Sequence, residues 1–380
     1  AMLAAGRAMP HIVSDASAIP GLQRCGLAPA DAMNYCIVGC NEIAIPGTCC
    51  QSGFSLQTGF TDTGILDDVL RAEGASPTGM DEVFAGFEGR VYDRMTEAIA
   101  RRQEAVDRTV ALHPFPFTSA CCRGSVANGD DYLRAMPYPD VYGVFIRGTA
   151  NAVNALSVLK HVAFADDDSI DIGRLFEGVD NRDTEVLARI GNVPKWGHDN
   201  DDVDELALEL CRRRTRALDR VAEEAGLPRF PVCHVVRSLH YFSGRQLGAT
   251  LDGRAAGERL CDSIGSDGGV SAEGPTALLN SVLKLNSVEW FGGIYNLNLT
   301  LASGQAEFAT LRTLLETFLE GCGQEIQVEV LDPDQLRQAK KDPDRFRNLV
   351  VRIAGLNARF VELNETEQDE LIKRADRAAG

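Results

Sequence analysis

Cys40 and Glu42 stand two residues apart in the segment Ile37-Val38-Gly39-Cys40-Asn41-Glu42-Ile43-Ala44-Ile45-Pro46-Gly47. In an extended loop, residues two apart project to the same side, so a thiol and a carboxyl can face one pocket. An apolar pocket disfavours the charged form of each, which favours neutral SH and a carboxyl able to exchange protons. That pairing suits hydrogen-atom transfer better than attack by a thiolate. A conventional cysteine nucleophile needs a nearby base, usually histidine, and the chain's six histidines keep that route open. Taken alone, the loop leaves a buried structural cysteine and a functional one both open.

Gly355 lies in a second segment, Val350-Val351-Arg352-Ile353-Ala354-Gly355-Leu356-Asn357-Ala358-Arg359-Phe360-Val361-Glu362-Leu363. A turn with positive φ, or a close contact, is the ordinary reason for a glycine. A radical is another. Removing hydrogen from a glycine Cα leaves an electron delocalised between the amide nitrogen and the carbonyl, a side chain would obstruct the planar geometry, and burial would protect the centre from quenching.

The second segment resembles the C-terminal signature of glycyl radical enzymes, Arg-Val-x-Gly-Tyr-x-x-x-Phe-x-x-Leu, followed by a helix with Gln-x-Glu, here Gln368 and Glu370. The first is similar to the same family's cysteine loop at Gly39, Cys40, Glu42, Pro46 and Gly47. Between them, Leu247 to Arg254 looks like the family's Gly-Ala-[ST]-Pro-Asp-Gly-Arg turn with Leu251 in place of proline, and Gly274-Pro275-Thr276-Ala277 and Ser281 to Leu285 sit where the family carries comparable segments. Several positions depart from the pattern. Leu356 replaces the usual tyrosine and Asn357 a small residue. Gly39 stands where formate-lyases carry a second cysteine, and retention of Glu42 argues against the fumarate-adding branch. Phe230-Pro231-Val232 looks like a Tyr-Pro-Val pocket segment of diol dehydratases without its hydroxyl.

The resemblance implies an α/β fold: half of a ten-stranded β/α barrel made of two half-barrels, residues 1–331 with the cysteine loop at 37–47, and a glycyl radical domain at 332–380. It implies a lyase that cleaves a C–O, C–N, C–S or C–C bond of a small molecule. Gly355 would store the radical, Cys40 would become the thiyl, and Glu42 would move a proton. Asn41, Phe230 and His234 are candidates for this chain's share of the pocket. The implied cofactor is the radical on Gly355 itself, with no bound metal, raised by an activating enzyme that uses S-adenosylmethionine and an iron-sulfur cluster. The match spans about the second half of a usual family member, so a subunit or fragment is expected, paired with an N-terminal-half partner in an oligomer. A spare part for an oxygen-damaged enzyme and a non-catalytic assembly subunit are the other readings.

Elements must position these loops. Apolar residues from Val83 to Val110 recur every three or four positions and predict a helix over 81–112. Helices are expected also at 150–162, 203–225 with a stop at Gly226-Leu227-Pro228, and 307–321. Strands are expected from Val141, and at 231–236, 295–301 and 325–331, an alternation that reads as α/β. In the last fifty residues, Asp332-Pro333 and Asp342-Pro343 predict two short helices before a strand at 349–354, and Asn364 with Glu367 opens a terminal helix.

Composition narrows the function classes. Fifty-five acidic against 38 basic residues give a net charge of −17, which excludes a polyanionic partner such as nucleic acid. The acidic runs 166–168 and 199–205 read as solvated loops and helix faces. Apolar runs are far shorter than the roughly 20 residues of a membrane helix, and a cytoplasmic protein is expected. Its 11 cysteines are then free thiols, and neither Cys49-Cys50 nor Cys121-Cys122 has the spacing of a zinc site. The glycine-rich 265–274 segment lacks the lysine of a phosphate loop.

Overall fold

The computed structural model describes residues 10, 12–38, 42–50, 59–74, 77–138, 143–234, 239–266, 271–353 and 356–379. Cys40, Asn41 and Gly355 therefore lie outside the described residues. β1 (Ile12–Val13) edges the main sheet, and β2 (Cys36–Val38), β3 (Glu42–Ile45) and β4 (Cys49–Cys50) form a small antiparallel sheet. The main sheet is built from β5 (Gly59–Thr61), β6 (Val144–Arg147), β7 (Val232–His234), β8 (Gly292–Ala302) and β9 (Glu325–Leu331), all parallel, in the order β1-β9-β8-β7-β6-β5. β10 (Val350–Ile353) and β11 (Leu356–Arg359) make a C-terminal hairpin.

Each parallel strand lies beside its predecessor. Right-handed crossovers repeated in one direction put the connecting helices on one face, which is the winding of a barrel and not of a doubly wound sheet. Helices Asp62–Leu70, Met80–Leu112, Thr149–Val158 and Asp201–Glu224 cover that face. Their apolar stripes, Val83, Phe87, Val91 and Met95 on one and Leu206, Leu210 and Val221 on another, join Phe60, Val144, Ile146, Val232, Tyr295, Leu297 and Leu299 in one continuous core. The 201–224 helix starts where Asn200 accepts the amides of Asp202 and Val203 at 3.1 and 3.3 Å. It stops where Gly226 turns to φ +65° and Leu227 N–H returns to the Ala222 carbonyl at 2.8 Å.

Side chains alternate across a strand. With the apolar set of β8 and β9 turned to the helices, Asn296, Asn298 and Thr300 of β8 and Glu325, Gln327 and Glu329 of β9 face the other way, all except Asn298 buried. Phe145 and Cys233 share this opposite face, in a second apolar cluster with Ala18 and Leu22 of helix Asp15–Arg24, Cys25 just after it, and Ile43 and Ile45 of β3. Gly292, at φ +68°, admits that helix closely, since a Cβ there would lie 2.6 Å from the Cys25 Sγ.

A small unit follows β9. Asp332 caps helix Pro333–Lys341 at 2.9 and 3.0 Å, and Leu331, Leu336, Val351, Phe360, Leu371 and Ala375 form its own core. Asp342-Pro343 does not open the second helix expected. The chain makes isolated turns, Phe346 N–H to Pro343 and Leu349 N–H to Phe346, and no ladder propagates over so short a run before β10. The 150–162 helix ends in a wide turn at Leu159–Ala163. Of the acidic run 199–205, Asp199, Asp201 and Asp204 converge on Lys284 Nζ at 3.0, 2.8 and 2.6 Å, so the expected solvated face is in part a buried tie between helices Asp201–Glu224 and Gly274–Lys284.

Candidate active site

The cysteine segment is a hairpin and not a free loop. β2 and β3 pair antiparallel with Val38 opposite Glu42, and Gly39, Cys40 and Asn41 join the two strands. Glu42 is 2% exposed. Ile43 and Ile45, which alternate with it along β3, pack on Phe145 and Cys233 and so seat the hairpin against the sheet face opposite the helices.

The glycine segment reaches the same face from the other end. β10 and β11 pair with Ile353 opposite Leu356, and Ala354 and Gly355 join them. Arg352, three residues before Gly355, fastens the hairpin to β9. Its amide donates to Glu329 Oε1 at 2.8 Å and its Nε to Gln327 Oε1 at 2.9 Å, while its Nη1 donates across the hairpin to Asn357 Oδ1 at 3.1 Å. Asn357, where the resembling pattern has a small residue, thus adds a strap within the hairpin. Burial pushes the Glu329 carboxyl up in pKa, while Arg374 and the Arg352 amide pull it down.

The terminal helix Glu365–Ala379 is tied to the same carboxylate. Arg374 lies 3.6 Å from Glu329 and donates to Glu370 at 2.9 Å, and Arg259 reaches Glu370 at 3.1 Å. Gln368 donates to the Phe360 carbonyl at 3.0 Å, so the Gln-x-Glu pair serves as an anchor. Arg254 locks the turn at 248–254 by donating to the carbonyls of Ala255 and Glu258 at 3.0 and 2.6 Å and to Thr250 Oγ1 at 3.2 Å.

Phe230 and His234 are both buried. Phe230 belongs to the helix-side core. His234 lies 3.4 Å from Thr149 Oγ1 and edge-on to Phe291, and burial together with the Arg214 guanidinium holds its pKa well below the usual histidine value. His234 also lines a small cavity at the ends of β6 and β7 with Arg147, His240 and Asp262. Nearby, Arg214 and Asp62 form a fully buried ion pair at 2.6 Å, with Thr149 Oγ1 donating to the same carboxylate oxygen at 2.6 Å.

The polar wall between the hairpins escaped sequence reading, although its signal is present. Asn296, Asn298 and Thr300, then Glu325, Gln327 and Glu329, alternate strictly inside two runs that read as apolar strands. Asp262 extends this wall by accepting from Asn298 Nδ2 at 2.7 Å. Among the described residues, no three His, Cys, Asp or Glu side chains converge as metal ligands.

Two known families match different parts of the chain. The family described as pyruvate formate lyase-like matches residues 1–229, and the glycine radical family matches residues 262–361. The chain is 25% identical to a (2S)-3-sulfopropanediol dehydratase of Klebsiella oxytoca over 98% of its own length and 48% of the relative's. It is 26% identical to an isethionate sulfite-lyase of Bilophila wadsworthia over 97% and 47%. A solved structure concerned with 1,2-propanediol dehydration in Roseburia inulinivorans superposes with a TM-score of 0.82 at 27% identity, over 98% of this chain and 50% of the other. The chain thus spans about half the length of the curated relatives it matches. No helix among the described residues is long and apolar enough to cross a membrane. With an in-order parallel sheet and two hairpins seated on one of its faces, the chain belongs to the pyruvate formate lyase-like family and carries the small C-terminal glycyl radical domain.

Proposed function

We propose that this chain is the radical-bearing part of a glycyl radical lyase, with residues 1–331 forming the half-barrel and residues 332–380 the radical domain. The observation that carries the reading is the seating of two strand pairs, those that flank Cys40 and Gly355 in the sequence, on one face of one sheet. Relatives named for dehydration and for sulfite release favour cleavage of a C–O or C–S bond next to the carbon that loses hydrogen.

In this reading Gly355 gives up one Cα hydrogen to a separate activating enzyme that works with S-adenosylmethionine and an iron-sulfur cluster. Gly355 then takes the Cys40 thiol hydrogen, and the Cys40 thiyl takes one from a substrate carbon. The substrate radical loses its neighbouring group, Glu42 moves the accompanying proton, and the product radical recovers hydrogen from Cys40. Walls closed by the hairpins exclude water and oxygen. A complementary half-barrel completes the site, because β5 pairs on one side only among the described strands and an open sheet edge invites a partner. A spare-part role fits less well, since the match extends over residues 1–229 and not the radical domain alone.

Anaerobic electron paramagnetic resonance after treatment with an activating enzyme tests the assignment. A doublet present in the wild type and absent in Gly355→Ala is expected. No signal under activation conditions that charge a known family member would overturn it. Turnover surviving Cys40→Ala in the completed enzyme would remove the thiyl step.

A further inference from the structure

The terminal helix turns a charged face to the barrel. Thr366, Asp369, Glu370, Lys373, Arg374 and Arg377 recur at helical spacing along Glu365–Ala379, while Leu371 and Ala375 on the other face pack into the small unit's own core. A helix laid against a neighbouring unit ordinarily presents an apolar stripe to it. Here the charged face lines a cavity of about 730 Å³ whose opposite wall is the barrel segment 241–261. That volume lies within the roughly 300–1,000 Å³ of sites for small organic ligands.

The cleft is positive although the chain is not. Six cations and four carboxylates line it, against a net charge of −17 for the whole chain. Each of the four carboxylates already has a donor. Asp252 accepts from Asn151 and Thr250 at 2.6 and 2.5 Å, Glu258 accepts the Ala255 amide at 2.9 Å, Asp369 pairs with Lys340, and Glu370 holds Arg259 and Arg374. Arg245 and Lys373 have no such engagement. Both are exposed, and among the described residues no carboxylate pairs with either. They reach the cavity from opposite walls, Arg245 on helix Leu239–Gln246 and Lys373 on the terminal helix. At its floor Arg374 is 7% exposed, and its Nε has no acceptor. Glu370, also on the floor, keeps Oε2 open to one O–H donor.

We propose that this cleft binds a phosphate monoester of a small hydroxylated molecule, and that the bound ester ties the C-terminal unit to the barrel. The phosphate dianion accepts from the Arg245 guanidinium with two oxygens and from the Lys373 ammonium as a point charge. Two like charges on facing walls repel, and a dianion between them turns the repulsion into a bridge. A hydroxyl of the ester donates to Glu370 Oε2. Nothing in the site depends on Gly355, so it stands apart from the lyase reading.

Calorimetric titration of the full chain with ribose 5-phosphate, inorganic phosphate, ribose and citrate at fixed ionic strength tests the site, and hydrogen exchange of the terminal helix tests the bridge. Ribose 5-phosphate should bind one to one, inorganic phosphate more weakly because it leaves most of the cavity unfilled, and ribose not at all. Arg245→Gln combined with Lys373→Gln should weaken ribose 5-phosphate at least about tenfold, and Lys373→Arg by less than about threefold. Both positions are exposed, so thermal unfolding without ligand should be unchanged in these variants. With the ester at about one hundred times its Kd, protection of the helix amides that exchange by undocking from the barrel should rise about 100-fold. No binding of the ester by the wild type, or undiminished binding by the double variant, overturns the site. Citrate binding as tightly as ribose 5-phosphate overturns the phosphate assignment, and ester binding without added protection of the helix overturns the bridge.

Discussion

Glu329 is the residue on which the glycine hairpin and the terminal helix both lean, and its removal should loosen one before the other. The carboxylate accepts the Arg352 amide at 2.8 Å and stands 3.6 Å from Arg374, which keeps a second carboxylate, Glu370, at 2.9 Å. Glu329→Ala therefore orphans the hairpin's amide but leaves the helix its closer ion pair. A hydrogen bond to a charged acceptor contributes roughly 1.5–3 kcal/mol, and about 1.4 kcal/mol is a factor of ten in an opening equilibrium. Protection of the Arg352 amide against hydrogen exchange should then fall about 10- to 100-fold, with β8 and β9 amides unchanged. Glu329→Gln keeps an acceptor oxygen and should retain most of the protection. The sign with pH follows from the raised carboxyl pKa. The net share of the carboxyl in folding stability is fully present below the ordinary glutamate value and is lost as pH rises through the raised one, because burial outweighs the Arg352 amide and Arg374. Those two favour the charged form and so hold the clamp more tightly as it ionises; Glu329→Gln should abolish both dependences. Equal protection in Ala and wild type, or equal loss in Ala and Gln, would refute the clamp.

Other perturbations follow from the same geometry. Arg214→Met removes the ionic partner of the buried Asp62 and should cost about 3–5 kcal/mol in urea unfolding, whereas adding Asp62→Leu should recover most of that. Asp67 is 8% exposed, and burial, opposed by Arg71, pushes its carboxyl from 3.8 up to about 7. Its share of stability is complete below pH 4 and lost as pH rises toward 7, by at most roughly 4 kcal/mol, and Asp67→Asn should flatten stability-versus-pH curves in that window. Gly292→Ala forces a Cβ to within 2.6 Å of the Cys25 Sγ at a backbone φ of +68°, and a loss of about 1–3 kcal/mol in thermal unfolding is expected.

The sequence disclosed elements wherever one period dominates. Val83 to Met95 repeats at helical spacing and the helix forms from Met80, one residue from the expected start. Glu325 to Leu331 is a strand with the boundaries expected. It disclosed less where neighbours decide. Asp342-Pro343 has the local chemistry of a helix start, yet the chain from there to β10 is too short to propagate one. His234 ends β7, and the face it takes depends on the register of that strand in the sheet, which no local pattern encodes. Arg214 and Asp62, 152 positions apart, give no local sign of pairing.

Glu325, Gln327, Glu329 and Asn296 are buried within this chain. Polar side chains on a sheet interior are costly unless something occupies the face, and here the occupants are the chain's own hairpins and terminal helix, through Ile43, Arg352 and Arg374. Had the other half-barrel been needed to cover this wall, these residues would stand exposed. The wall is thus organised for the two hairpins first, and among the described residues unsatisfied atoms on it or against it include Arg147 Nε, both amide atoms of Asn296, Asn298 Oδ1 and Arg374 Nε. On the reading proposed above, radical transfer between the hairpins would depend on groups that this chain positions, whereas the choice of substrate would also involve whatever closes the open edge at β5.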